Sequence, residues 1–136
     1  MESHQFASPD GKSVASLQYE GEIRFGPAYY SLSLNGVRLL SRSFGLCALW
    51  SDDSKYIALQ EWLSTTESQG PQTALLCLEP HVWRQCRVST AKHGFIEPLR
   101  FEGRKLIYVK EHNDMHGQRR NEFEIEFPSL SRWEAL

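Results

Sequence analysis

The sequence has few of the features that mark secreted or membrane proteins. Its three cysteines, Cys47, Cys77 and Cys86, are odd in number and form no Cys-x-x-Cys pair, which argues against a disulfide scaffold. No apolar stretch approaches the roughly 20 residues that span a bilayer. The first residues show no basic segment followed by an apolar run, so we predict no secretory signal. These absences predict a cytoplasmic protein with reduced thiols.

Sequence motifs of common enzyme classes are also missing. The chain contains no Gly-x-Ser-x-Gly nucleophile motif and no glycine-rich phosphate loop. The net charge of −2 provides no general attraction to nucleic acid or to anionic membranes. We therefore predict no enzymatic activity, no cofactor, and neither nucleic acid nor a membrane as partner.

The residues that are present favour a compact β protein. Of 136 residues, 40% are hydrophobic and 12% aromatic, which suffices for the core of one domain spanning residues 1–136. Aromatic residues favour strands, and helical periodicity is poor throughout. Asn35-Gly36, between two alternating segments, predicts a two-residue hairpin. The sequence therefore predicts an all-β fold.

Three stretches share a turn in which an acidic and a small residue precede a basic residue and an apolar strand. They are Ser8-Pro9-Asp10-Gly11-Lys12, Ser51-Asp52-Asp53-Ser54-Lys55 and Glu102-Gly103-Arg104-Lys105. The acidic residues of consecutive turns lie 43 and 49 positions apart, a period typical of propeller blades. The first two turns with their flanking strands resemble WD-repeat and TolB-like propeller blades. The resemblance implies three four-stranded antiparallel units, at about residues 4–43, 44–90 and 91–136.

Three units are fewer than the four to eight blades of closed propellers. We therefore predict a propeller-like arrangement or a strongly bent open sheet, with a β-sandwich as the alternative. Such an open arrangement leaves edge strands, which pair readily with other chains. The expected consequence is a homodimer or a partner that covers an edge.

A strand with a carboxylate row is predicted near the end of the chain. Residues 121–127 alternate, so Phe123, Ile125 and Phe127 are expected to face the core. The row consists of Glu122, Glu124 and Glu126, and we expect Glu111 and Asp114 to extend it. Such a surface suits a basic protein partner; the alternative is an ordinary solvated strand face.

Two histidines, His112 and His116, flank Asp114 with a spacing that a helix would turn into a metal site. Because residues 112–121 read as a polar loop without the glutamate of the metalloprotease motif, we predict no metal. The predicted function is a non-catalytic protein-binding module, resembling adaptor scaffolds and the cytoplasmic immunity proteins that neutralise bacterial toxins. The alternatives are a small enzyme with a loop-built site around His112 and His116, and a structural subunit of a larger β assembly.

Overall fold

The computed structural model describes residues 3–23, 26–66, 70–114 and 117–136 of the chain. These residues form antiparallel β-strands joined by turns, with two single 3-10 turns and no helix of the length and apolar character needed to cross a membrane. The strands are β1 (Ser3–Ala7), β2 (Val14–Glu22), β3 (Ala28–Leu34), β4 (Val37–Arg38), β5 (Ser43–Trp50), β6 (Ile57–Ser64), β7 (Gln72–Glu79), β8 (Arg84–Lys92), β9 (Gly94–Glu102), β10 (Lys105–Asp114), β11 (Gly117–Glu126) and β12 (Glu134–Ala135).

The strands form two open antiparallel sheets. Nine strands make one sheet, in the order β1-β2-β3-β5-β6-β7-β8-β12, with the short β4 beside β3. The other sheet has the order β11-β10-β9. The predicted all-β, antiparallel, open architecture is confirmed. The hydrogen bonding divides the strands into nine and three, where the sequence suggested three groups of four.

The large sheet bends sharply between β3 and β5, which pair only through Tyr30 and Phe44. The bend brings the first strands over the middle of the sheet. The indole Nε1 of Trp50 on β5 donates a hydrogen bond to the Phe6 carbonyl on β1 at 2.9 Å, although β2 and β3 separate these strands in the sheet order. The concave face thus encloses a core without closing into a barrel.

The turn at residues 8–13 joins β1 to β2 and is held by side-chain hydrogen bonds. The Ser8 hydroxyl donates to Asp10 Oδ1 at 2.6 Å and accepts from the Ser13 amide at 3.0 Å. The Lys12 amide donates to the same carboxylate oxygen at 2.9 Å. These bonds, first of all the one from Ser8, lower the pKa of Asp10.

The turn at residues 51–56, between β5 and β6, repeats this network atom for atom. The Ser51 hydroxyl donates to Asp53 Oδ1 at 2.6 Å and accepts from the Tyr56 amide at 3.0 Å. The Lys55 amide donates to Asp53 at 3.1 Å. The first two sequence echoes therefore form the same local structure.

The two turns also touch one another. The Asp10 amide donates to Ser54 Oγ at 3.0 Å. Gly11 and Ser54 occupy matching positions with φ of 72° and 63°, a left-handed conformation that glycine adopts without steric cost. Ser54 has a hydroxyl that a glycine at this position would lack, and this hydroxyl links the two turns.

Strands β6 and β7 lie at the centre of the molecule and are buried on both faces. Alternate side chains therefore belong to different cores. The concave face of the large sheet holds Leu17, Leu32, Leu34, Phe44, Ile57, Leu59, Leu76 and Leu78. The second core combines Ala58, Leu75, Cys77 and Ala91 of the large sheet with Ile96, Leu106 and Tyr108 of the small sheet.

The small sheet meets the large one through the edge of β9 that does not pair with β10. The Thr73 hydroxyl donates to the Gly94 carbonyl at 3.1 Å and accepts from the Ile96 amide at 2.9 Å. Gln60 Nε2 donates to the Ile96 carbonyl at 3.1 Å. Gly45 leaves room for that amide, since a Cβ there would lie 1.9 Å from Gln60 Oε1. Side chains of β6 and β7 thus satisfy the backbone of β9, as buried polar groups require.

Candidate binding surface

The predicted carboxylate row lies on β11, the outer strand of the small sheet. Strand β11 pairs with β10 in one unbroken register from Lys105↔Glu126 to Asp114↔Gly117. Alternation along the strand places Glu122, Glu124 and Glu126 on one face, and all three side chains are exposed. The prediction that these residues form an exposed row is confirmed.

The prediction of a loop at residues 112–121 is wrong. Both β10 and β11 continue through it, and only residues 115 and 116 separate their last pair, Asp114↔Gly117. The segment is polar, which suggested a loop. An exposed strand can carry polar side chains on both faces, because its backbone bonds rather than its side chains hold it.

The charges on the row's face are mixed but negative overall. The register places six carboxylates and three basic side chains there, a net charge of −3. The six are Glu97, Glu102, Glu111, Glu122, Glu124 and Glu126, and the three are Arg100, Lys105 and Arg120.

Half of these carboxylates have a basic partner. Lys105 Nζ lies 3.4 Å from Glu124, and Arg100 Nε lies 2.6 Å from Glu102. The hydrogen bond from Arg100 to Glu102, with a further contribution from Glu122, raises the pKa of Arg100. The third such pair joins Arg120 and Glu111. The remaining three carboxylates are the half-buried Glu97 on β9 and the exposed Glu122 and Glu126 on the outer strand, so most of the excess negative charge lies on β11.

Of the two residues expected to extend the row, Glu111 lies on the same face and pairs with Arg120 across the strands. It is half-buried and its charge is balanced. Asp114 ends β10, and its side chain lies outside the described residues. The row proper therefore consists of the three β11 glutamates.

The opposite face of β11 is less buried than predicted. Phe123 was expected in the core, but it is 41% exposed. It stacks on Tyr108 at 5.5 Å between ring centroids, and Lys110 Nζ lies 5.4 Å from its ring centre. Ile125 and Phe127 are half-buried against the second core. Ile125 is the one half-buried residue of β11, and the residues from Gly117 to Glu124 are exposed, so burial declines toward the hairpin.

The structure describes only one histidine of the predicted pair. His112 lies on β10, opposite Arg119, and is half-buried. His116 lies outside the described residues. Among the residues that the structure describes, no group of three or more histidine, cysteine, aspartate or glutamate side chains has a metal-binding arrangement.

A cleft of about 390 Å³ lies between the second turn and the residues Gly103, Arg104 and Phe127. The Tyr56 ring stacks on Phe127, with centroids 4.9 Å apart, and burial, followed by the nearby Glu79 charge, raises the pKa of Tyr56. The sequence predicted the turn at residues 51–56 but did not indicate that this turn lines a cleft. The main lining side chains are Asp52, Asp53, Lys55, Tyr56, Arg104 and Phe127.

A buried ion-pair cluster, not predicted from the sequence, lies on β6. Glu61 is 3% exposed, and Arg42 Nε and Arg87 Nε lie 2.7 and 2.9 Å from its two carboxylate oxygens. Burial acts to raise the pKa of Glu61, but the hydrogen bonds and charges of the arginines outweigh it and lower the pKa. The cluster joins three strand regions and has a structural role.

All three cysteines are free thiols, and they lie in buried or half-buried positions. Cys77 and Cys86 are opposite each other on β7 and β8, and both are buried free thiols. Burial, with a smaller effect of Glu97, raises the pKa of Cys47 to about 11. A thiol of high pKa is a poor nucleophile.

Comparisons with protein-family models, with curated proteins and with solved structures found no match for this chain.

Proposed function

We propose that this protein is a non-catalytic binding module that takes a partner protein with a basic surface on the outer face of β11. The observation that carries the proposal is the exposed row of Glu122, Glu124 and Glu126 on the outermost strand, on a face with a net charge of −3. Complementary charge accelerates association and orients the partner.

The location of the row supports the proposal. Strand β11 belongs to a small sheet whose other edge is anchored by hydrogen bonds from Thr73 and Gln60. Binding residues held by a rigid scaffold lose little conformational freedom when they bind. The hairpin therefore presents the carboxylates on an ordered strand.

The proposal includes a reducing compartment such as the cytoplasm, which suits the free thiols of Cys77 and Cys86 on neighbouring strands. A cytoplasmic immunity protein that neutralises a basic toxin is one form that such a module takes. In that form, the carboxylate row covers the basic surface through which the toxin acts.

The test replaces the three row glutamates by glutamine, which retains their size and β pattern. Association with the partner isolated from the native cell is expected to slow roughly tenfold at low salt. The difference shrinks at high salt, because the screening length is about 10 Å at 0.1 M. Surface plasmon resonance at two salt concentrations measures the rates.

A matched control carries the same change in net charge elsewhere. The triple variant Glu20→Gln, Glu22→Gln, Glu134→Gln alters three exposed carboxylates on β2 and β12, away from β11. Its association rate is expected to stay close to wild type. Equal slowing in both triple variants would reduce the effect to net charge and would contradict the proposed surface.

A further inference from the structure

The backbone of β11 is accessible along the side that faces away from β10. The closing pair of a hairpin with a two-residue connection, here Asp114↔Gly117, exchanges both of its backbone hydrogen bonds. Every second residue of β11 from Gly117 therefore bonds to β10. The Phe127 amide donates to the Arg104 carbonyl at 2.9 Å, which confirms this alternation at the far end of the strand.

The residues between those pairs direct their amides and carbonyls outward. They include Arg120, Glu122 and Glu124, so the residues that carry carboxylates also carry the outward backbone groups. The accessible edge ends at Glu126, whose carbonyl accepts a hydrogen bond from Ser129 Oγ at 2.6 Å. At about 3.4 Å per residue, the edge from Gln118 to Glu126 is about 27 Å long.

Other sheet edges among the described residues are short or partly covered, and β8 pairs with β12 only at Arg84 and Gln85. Strands β4 and β12 have two residues each. The Trp50 indole occupies the Phe6 carbonyl on β1, and side chains of Thr73 and Gln60 occupy backbone groups of Gly94 and Ile96 on β9. Strand β11 has ten residues, no proline and no register shift against β10. Its length, its regular register and the absence of proline leave the edge open to pairing, while its charged side chains disfavour partners of like charge.

We propose that β11 binds an extended peptide segment by strand addition, and that the segment alternates basic and apolar residues. This inference rests on the proposed function and specifies its partner. Main-chain bonds to the outward groups supply affinity, and alternate side chains supply specificity.

The two faces of β11 determine the alternation. Side chains of the added strand next to the row meet Glu122 and Glu124, where basic residues are favoured over acidic ones. Those on the other face meet Phe123, whose ring is 41% exposed and gains cover from an apolar neighbour. A second copy of this chain is the less suitable occupant of the edge. Pairing of two β11 strands would bring the glutamates of one row close to those of the other, and like charges repel.

The probe is the octapeptide (Lys-Val)4, compared with Lys4Val4, which has the same composition and charge in blocks. We expect the alternating peptide to bind at least tenfold more tightly by fluorescence anisotropy. Equal affinities would mean that charge alone attracts the peptide and would overturn strand addition. No binding of (Lys-Val)4 would overturn it as well.

A matched pair of variants separates the backbone from the charge. Glu124→Pro and Glu124→Gln remove the same carboxylate, but only proline removes the outward amide and blocks the edge. Proline is tolerated there because the Glu124 amide does not bond to β10. We expect glutamine to weaken (Lys-Val)4 binding two- to threefold and proline at least tenfold. Equal effects would overturn strand addition and leave the proposed charged surface intact.

Hydrogen exchange on the wild type keeps the test independent of whether the proline variant folds. Saturation with (Lys-Val)4 is expected to slow exchange of the Glu122 and Glu124 amides. Unchanged exchange at both would overturn the proposal. A concentration-dependent dimer, seen by sedimentation and lost in Glu124→Pro, would assign the edge to a second copy instead.

Discussion

Strands β7 and β11 have similar lengths but opposite surroundings. Strand β7 has a neighbour on each side and a core on each face, and six consecutive residues from Thr73 to Leu78 are buried. Strand β11 has one neighbour, and its side chains are exposed from Gly117 to Glu124. The comparison shows that a strand can serve as the centre of the fold or as an accessible edge, depending on what covers its faces and sides.

The largest expected effect concerns one apolar side chain on each strand. Leu76→Ala on β7 is expected to lower the free energy of unfolding by about 2–5 kcal/mol, because a fully buried side chain leaves a cavity. Phe123→Ala on β11 is expected to cost about 1 kcal/mol or less, since its ring is 41% exposed. Urea denaturation measures both values. Equal losses would contradict the distinction between centre and edge.

A smaller effect is expected for the buried charge on the central strand β6. Glu61→Gln removes the carboxylate that holds Arg42 and Arg87, at a cost of about 2 kcal/mol at pH 7. Because folding lowers the pKa of Glu61 from its ordinary 4.5, its contribution is present above that value and is lost as the pH falls through the folded pKa.

Urea denaturation between pH 7 and pH 3 therefore provides the measurement for Glu61. The difference between wild type and Glu61→Gln is expected to shrink as the pH falls. A difference that grows toward low pH would show that the arginines do not stabilise the ionised carboxylate.

The smallest effect is expected for the two matching turns at residues 8–13 and 51–56. The first lies near the edge of the large sheet and the second near its centre, so they compare the same local structure in two surroundings. Ser8→Ala and Ser51→Ala each remove two matching hydrogen bonds from a buried hydroxyl. Each is expected to cost about 1 kcal/mol, with values that agree within about 0.5 kcal/mol. Thermal and urea denaturation test this; a clearly larger loss in one turn would show that the surrounding strands, not the local network, set the stability.

Much of the local structure could be predicted because short-range chemistry decides it. Asn35 and Gly36 adopt φ of 50° and 83° and connect β3 to β4 as expected of a two-residue hairpin. The serine and aspartate turns close through bonds within six residues. The alternation of residues 121–127 identified the carboxylate row. The resemblance of the turns to propeller blades stays a prediction.

Other predictions failed where burial depends on distant parts of the chain. The alternation correctly indicated a strand containing Phe123, but it carries no information about whether a second layer covers the strand. The polar residues 112–121 were predicted as a loop for a related reason, because polarity indicates exposure but does not distinguish an exposed hairpin from a loop. Likewise, no local pattern indicates that Glu61 meets Arg42 and Arg87, which are 19 and 26 positions away.

The amino-acid sequence by itself determined the turns, the strands' period of two and the placement of Glu122, Glu124 and Glu126 on one face of a strand. Each follows from backbone conformations and from bonds between residues close in the chain. Only the tertiary structure decided that nine strands join one bent sheet, that Thr73 and Gln60 cover the edge of β9, and that the edge of β11 stays uncovered. Those outcomes depend on which surfaces meet when the chain collapses, because burial is a property of the whole assembly of strands rather than of any one of them.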